Sequence, residues 1–227
     1  MTGFRRGVDV PALVLAASFA GLSVAPDQQK GAAPLPARLS DQEFWRLSAE
    51  LSEPNGFFRS ENLVSNEHTF QYVVPALKRA VRPGGVYLGV APDQNFTYIN
   101  AIRPRMAFIV DIRRGNLLEH LMYKALFELS ADRAEFLSRL FSKPRPPSLG
   151  PRSTVTELFT AYDRADTLKE LYAENLAAVE HHLLKRHGFA LSAADVEQFE
   201  GIYWAFFWEG PSLRYSTSPS GLGGRGY

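Results

Sequence analysis

Two short apolar segments limit what this chain can fold into. Residues 85–90 (GVYLGV) and 106–110 (MAFIV) are rich in β-branched and aromatic side chains, a pattern typical of strands buried on both faces of a parallel sheet. A turn at residues 91–94 and a helix-forming segment at residues 95–102 lie between them. The order strand, helix, strand predicts one βαβ unit, and the remaining sequence contains no other convincing strand.

Helical patterns dominate the rest of the chain. Ser40 and Glu43 form a capping box, so the first helix should begin at Asp41 and end near Leu51. Residues 142–152 (SKPRPPSLGPR) contain too much proline and glycine for regular structure and predict a linker. Further helices are predicted at residues 65–81 with a kink at Pro75, 116–129, 130–141, from 153, 167–186 and 192–208.

A parallel pair of strands surrounded only by helices would leave both sheet edges unpaired. Doubly wound α/β domains avoid this by adding strands. We therefore expect residues 40–227 to form a Rossmann-like α/β domain that is incomplete at its C-terminus. In that interpretation residues 116–208 are a helical insertion after the second strand.

The N-terminal residues have the pattern of a secretory signal. Arg5 and Arg6 precede an uncharged apolar stretch, residues 10–25, which ends in small side chains and is too short to span a bilayer as a stable helix. We expect residues 1–25 to be removed, residues 26–39 to be a flexible linker, and the exported protein to have no integral membrane span. A segment that is not a signal would leave the protein in the cytoplasm.

Composition excludes several classes of function. The absence of cysteine excludes disulfides and Cys-based zinc sites. A net charge of +1 argues against a nucleic-acid partner, because nucleic-acid-binding domains usually carry a strongly basic face. We expect a small-molecule ligand instead.

The candidate ligand site lies at the carboxyl ends of the two strands. Gly89 is near the end of the first strand and Asp111 follows the second, 22 positions later. A glycine-containing turn and an acidic residue about 20 positions on can hold an adenosine nucleoside, the carboxylate accepting from the ribose hydroxyls. Because Ala91 and Pro92 stand where a dinucleotide fingerprint has glycines, the turn favours S-adenosylmethionine over NAD. A βαβ unit without a ligand is the alternative.

Several residues are candidates around this turn. The predicted cofactor-binding residues are Gly89, Ala91, Asp93, Asn95 and Asp111. The candidates for substrate contacts are Asn62 and Glu67 before the first strand, and Glu209, Arg214 and Tyr215 after the aromatic segment at residues 203–208. Arginines that can grip an anion, or simply solvate the strand ends, are Arg103, Arg105, Arg113 and Arg114. Capping and core packing are the alternatives for the other candidates.

Three histidines lie close together near residue 185. His181, His182 and His187 have no carboxylate at a zinc-binding helical spacing, apart from the adjacent Glu180. Imidazolium groups in the last turns of a helix interact favourably with its dipole. We therefore predict helix-end residues here and no metal site.

The sequence resembles a known family in three segments: residues 57–67 (FFRSENLVSNE), 85–141 and 201–216 (GIYWAFFWEGPSLRYS). The family consists of uncharacterised bacterial proteins, often exported or lipoprotein-like, with a methyltransferase-like Rossmann segment. The resemblance covers roughly residues 40–227 and implies the fold more strongly than any activity. Family members more often have glycine at the position of Ala91.

Two hypotheses for function follow. In the first, the protein is S-adenosylmethionine-dependent and methyltransferase-like: Gly89 holds the methionyl end, Asp111 binds the ribose, and Asp93 and Asn95 line the turn. Its catalytic residues are unknown. In the second, it is a non-catalytic envelope protein that binds a small molecule or a partner with the same cleft.

Overall fold

The computed structural model describes residues 35–53, 62–66 and 69–215 of the chain. The predicted signal peptide, most of the predicted linker and Glu67 lie outside these residues. In chain order the helices and strands are α1 (Asp41–Glu50), α2 (Val74–Ala80), β1 (Val86–Val90), α3 (Gln94–Ile102), β2 (Met106–Val110), α4 (Arg114–Leu129), α5 (Arg133–Phe141), α6 (Val155–Arg164), α7 (Lys169–His181) and α8 (Ala193–Glu209).

The βαβ unit is confirmed. Strands β1 and β2 pair in parallel, with Val86 opposite Met106 and Val90 opposite Val110, and α3 connects them. The expectation that the strands are buried on both faces is wrong. Val86, Leu88, Val90 and Val110 share one face of the pair and are 51%, 73%, 62% and 54% exposed, so this face is largely open to solvent in the described part of the chain.

The expected Rossmann-like sheet is also wrong, because the sheet in the described part of the chain has two strands and the other main elements are helices. Residues 116–208, predicted as an insertion, contain most of the core. The physical reason is α4, which buries side chains around most of its circumference and therefore needs neighbours on several sides. Helices α5, α7 and α8 pack against it. The fully buried core side chains include Leu118, Met122, Leu126, Tyr162, Val179, Phe199, Ile202 and Tyr203.

Helix starts follow the local sequence closely. The predicted capping box of Ser40 and Glu43 is present, and Ser192 with Asp195 begins α8 in the same way. Asp132 caps α5, so this helix begins three residues after the predicted start at residue 130. Pro75 lies in the first turn of α2. Backbone N–H groups in a first turn have no partner within the helix, so proline removes no hydrogen bond there and the predicted kink does not occur.

The aromatic end of α8 divides between the core and solvent. Tyr203, Phe206 and Phe207 are buried, whereas Trp204 and Trp208 are 41% and 68% exposed. The buried rings support the core interpretation of this segment. Among the helices of the described residues, none has both the length and the apolar character needed to cross a bilayer.

Candidate functional site

The turn between β1 and α3 is filled by the Asn95 side chain. Asn95 is 1% exposed, and its Nδ2 donates to the carbonyl oxygens of Val90, Ala91 and Pro92 at 3.0, 2.8 and 2.8 Å. Its Oδ1 accepts from the Tyr87 hydroxyl at 2.7 Å. Asn95, which was predicted to contact a ligand, therefore holds the turn together from within. Its side chain has this internal role instead of capping the helix.

Gly89 and Ala91 give the turn its shape. A Cβ on Gly89 would lie 2.0 Å from Asn95 Oδ1, so the glycine makes room for that side chain. Ala91 has a φ of 68°, a left-handed conformation that costs a non-glycine residue about 1 kcal/mol.

Asp93 connects the turn to the preceding segment. It stands at the N-cap position of α3 but does not cap the helix with its side chain. Its Oδ1 instead accepts from the backbone N–H of Ser65 at 2.8 Å. Residues 62–66, which include the predicted substrate contact Asn62, are thereby held against the carboxyl end of β1.

Asp111 is engaged by a neighbouring arginine. The Arg113 Nε and backbone N–H donate to Asp111 Oδ1 at 3.1 and 2.9 Å, and the two side chains are 5% and 9% exposed. Arg113 also donates to the Asn62 carbonyl oxygen at 3.3 Å. Arg114 pairs with Asp195 at 2.8 Å. Asp111, predicted to bind ribose, thus has a partner within the chain. The same is true of Arg113 and Arg114, which were predicted to bind an anion.

The end of β2 that precedes Asp111 has open space beside it. A groove of about 370 Å³ runs along residues 107–112, at and after the end of β2, and along the C-terminal end of α1; Asp111, Arg113 and Arg114 line it. Gly89, Ala91, Asp93 and Asn95 do not. The Ala91 N–H nevertheless donates to the Val110 carbonyl oxygen at 3.3 Å, so the turn and Asp111 lie at the same end of the strand pair.

A stripe of polar side chains on α4, which the sequence analysis missed, packs behind the turn. Asn116, Glu119 and Tyr123 are 2%, 0% and 6% exposed, and His120 is partly buried beside them. The Tyr123 hydroxyl donates to Glu119 Oε1 at 3.1 Å. The signal for this stripe is the spacing of these residues, which repeats every three to four positions inside an otherwise apolar helix.

His120 contacts the turn itself. Its Nε2 lies 3.3 Å from the Ala91 carbonyl oxygen. Burial lowers the pKa of His120, and the nearby Asp93 and Asp111 carboxylates partly oppose that shift. Burial also raises the pKa of Tyr123, with the Glu119 carboxylate adding to the effect. The turn thus lies against a largely buried polar cluster in which Tyr123 bonds to Glu119 and His120 contacts the turn backbone.

An aromatic pocket of about 290 Å³ opens beside this cluster. Its polar lining residues are Asp93 and Tyr123, and Gly210, Pro211 and Leu213 after α8 also line it. The phenylalanines that line the pocket are Phe96, Phe127, Phe136, Phe141, Phe159 and Phe206. Phe127 stacks on Phe136 with ring centroids 4.8 Å apart, and it is 52% exposed.

The predicted substrate-binding residues in the described part of the chain are not among those that line this pocket. The loop that follows Glu209 lines the pocket with Gly210, Pro211 and Leu213 rather than with the predicted side chains. Glu209 and Tyr215 are partly buried, and Arg214 is exposed. Asn62 contributes its carbonyl oxygen to Arg113, as described above, and Glu67 lies outside the described residues.

A second polar cluster joins α4 to the end of α7. Glu128 Oε2 lies 2.7 Å from His182 Nε2 and 2.6 Å from His187 Nε2. Burial opposes ionisation of this carboxyl, but hydrogen bonds from Lys124, His182 and His187 lower the pKa of Glu128 to about 2. One ligand atom from Glu128, His182 and His187 each falls within 4.8 Å of the others, a grouping that could hold a metal ion. The sequence analysis missed Glu128 because it lies on another helix.

A sequence profile described as Domain of unknown function (DUF7790) matches residues 62–193, more than half of the chain. The match includes the β1–α3 turn, the polar stripe of α4 and the Glu128 cluster. Neither a curated protein nor a solved structure gives a significant match.

Proposed function

This chain belongs to the family described as Domain of unknown function (DUF7790), and we propose that it is a non-catalytic binding protein for small molecules that carry a positive charge on an apolar body. The observation that carries this proposal is the aromatic pocket, in which Asp93 is the one acidic residue among the described residues that line it. Aromatic rings attract a cation through their faces, and a carboxylate in a partly apolar site attracts it more strongly than in water.

The non-catalytic character is inferred from the polar groups beside the pocket. Asn95 bonds to the turn, Asp111 to Arg113, His120 to the Ala91 carbonyl, and Tyr123 to Glu119. Acid–base catalysis needs a group directed at the substrate. Groups that hold one another are better suited to keeping a pocket in shape.

Two probes of the same size separate charge recognition from apolar burial. Titration calorimetry with 4-phenylbutylammonium and with neutral 4-phenylbutanol should show tighter binding of the ammonium ion. We expect Asp93→Asn to weaken the ammonium about tenfold, or about 1.4 kcal/mol, and to leave the alcohol unchanged. Phe127→Ala should weaken both probes, since it removes an apolar wall from a position that is 52% exposed.

Asp163→Asn is the matched control, because Asp163 is an exposed aspartate on α6, outside the pocket lining. It should bind both probes as the wild type does. Equal affinity of the two probes for the wild type, or no binding of either, would reject the proposal.

The adenosine-type ligand and the methyltransferase-like activity stay predictions. The parallel pairing of β1 and β2 favours them, because it brings the strand ends to one side. The filled turn and the Asp111–Arg113 pair weigh against them. S-adenosylmethionine and S-adenosylhomocysteine are the discriminating titrants: binding of both that is lost in Asp111→Asn would support the nucleoside site instead of the aromatic pocket.

We also propose that the protein acts outside the cytoplasm, on the basis of the charged and apolar pattern of residues 1–25. Fractionation of cells expressing the full chain should recover a processed protein in the exported fraction. Sequencing of its N-terminus should begin near residue 26. An uncleaved product in the cytosol would contradict this.

A further inference from the structure

The backbone brings two histidines to one face at the end of α7. A π-helical turn, His182–Arg186, follows that helix, and the His187 N–H donates to the His182 carbonyl oxygen at 3.0 Å. The wider turn aligns residues five apart, so the two imidazole rings lie with centroids 4.8 Å apart. Such π-helical turns are often found at functional sites.

Both histidines face one carboxylate oxygen. With contacts of 2.7 and 2.6 Å to Glu128 Oε2, each Nε2 must carry a proton if it is to donate a hydrogen bond. A divalent cation between the three atoms would satisfy the same carboxylate with neutral imidazoles. Tetrahedral zinc, with bonds of about 2.0–2.1 Å, separates its ligand atoms by about 3.3 Å, so small side-chain movements would admit it.

His187 also has a carboxylate beside its second ring nitrogen, the position where metal-bound histidines have an outer partner. Its Nδ1 lies 2.9 Å from Asp41 Oδ1, an ion-pair distance although the direction is not that of a well-aligned hydrogen bond. Phe189 stacks on the His187 ring with centroids 5.0 Å apart, which fixes the ring plane. A carboxylate on the second ring nitrogen orients the ring and makes the first nitrogen a better ligand.

Access and charge are compatible with an ion. The Glu128 side chain is 36% exposed, whereas His182 and His187 are 11% and 5% exposed. Lys124 contacts the other carboxylate oxygen, Oε1, which leaves Oε2 to the two imidazoles. Two imidazole nitrogens and one carboxylate oxygen form a three-ligand set that zinc accepts, with a fourth position left for water.

We propose that Glu128, His182 and His187 form a binding site for Zn²⁺, with Asp41 as the outer partner of His187. The site joins α1, α4 and the π-helical turn. It is separate from the aromatic pocket, and it stands whether or not that pocket binds a cation.

Titration calorimetry of the full, tag-free chain with Zn²⁺ tests the site. We expect one ion per chain, at least about 100-fold weaker binding in His182→Gln and in Glu128→Gln, and about tenfold weaker binding in Asp41→Asn. His181→Gln is the matched control, because His181 is exposed on the same helix and should bind Zn²⁺ as tightly as the wild type.

Two measurements guard against loss of fold. Glu128→Gln keeps the size of the side chain and one acceptor oxygen, and circular dichroism verifies its helices. Co²⁺ added to the wild type should give the strong visible absorption of a four-coordinate ion, which His181→Gln retains and Glu128→Gln loses. No Zn²⁺ binding by the wild type, or equal weakening in His181→Gln and His182→Gln, would overturn the proposal.

Discussion

Arg113→Met is expected to lower the free energy of unfolding by about 3–5 kcal/mol, because it leaves the nearly buried Asp111 carboxylate without its cationic partner. Methionine preserves most of the apolar stem of arginine, so the loss reports the charge rather than the packing. Urea unfolding followed by circular dichroism measures it. The sheet end and residues 62–66 share this arginine, so both are expected to loosen together.

The double variant Arg113→Met/Asp111→Asn separates the charge from other effects of the substitution. Because this variant removes the Asp111 charge that lacks a partner, it should recover more than half of the free energy of unfolding lost in Arg113→Met. Arg82→Met, at an exposed position, should change the free energy of unfolding by less than about 0.5 kcal/mol. A double variant as unstable as Arg113→Met would show that the carboxylate is not the source of the loss.

Gly89→Ala is expected to cost about 3 kcal/mol. The new Cβ would lie 2.0 Å from Asn95 Oδ1 and 2.6 Å from the Tyr87 ring, so both side chains must move. Asn95 then gives up bonds to the turn carbonyls, and each buried polar group left unpaired costs about 1–3 kcal/mol. Thermal and urea unfolding of the two chains measure the difference.

Gly85→Ala is the matched control, because a Cβ at Gly85 meets no atom within 4 Å. It should unfold within about 0.5 kcal/mol of the wild type. The double variant Gly89→Ala/Asn95→Ala should cost less than the sum of the single variants, since each removes the reason for the other's effect. Additive losses would mean that Asn95 is not what Gly89 accommodates.

Short-range features were predictable because the residues that produce them are neighbours in sequence. The capping boxes at Ser40 and Ser192 need partners three residues away, and both helices start there. The two strands and the helix between them follow from local apolar periodicity and turn residues, and their connection through α3 favours parallel pairing. Local sequence also marked the irregular segment at residues 142–152, in which no helix or strand forms.

Which element packs against each apolar surface depended on contacts between segments that are distant in sequence. An apolar run looks the same whether helices or solvent lie beside it, so β1 and β2 were assigned to a buried sheet although one face of the pair is open. In the same way α4 was interpreted as part of an insertion, whereas it lies at the centre of the helical core.

The candidate sites also combine features that local sequence predicts with contacts between distant residues that it does not. The region around Gly89 and Asp93 was visible as a turn between a strand and a helix, but the inward position of Asn95 requires the hydroxyl of Tyr87 and three carbonyl oxygens to converge on it. Glu128 meets His182 across 54 residues of sequence. Propensity and capping act over a few residues along the chain. Contacts such as Glu128–His182 form only when separate helices bury their apolar faces against each other. The periodicity of one helix does not show which other helix packs against it.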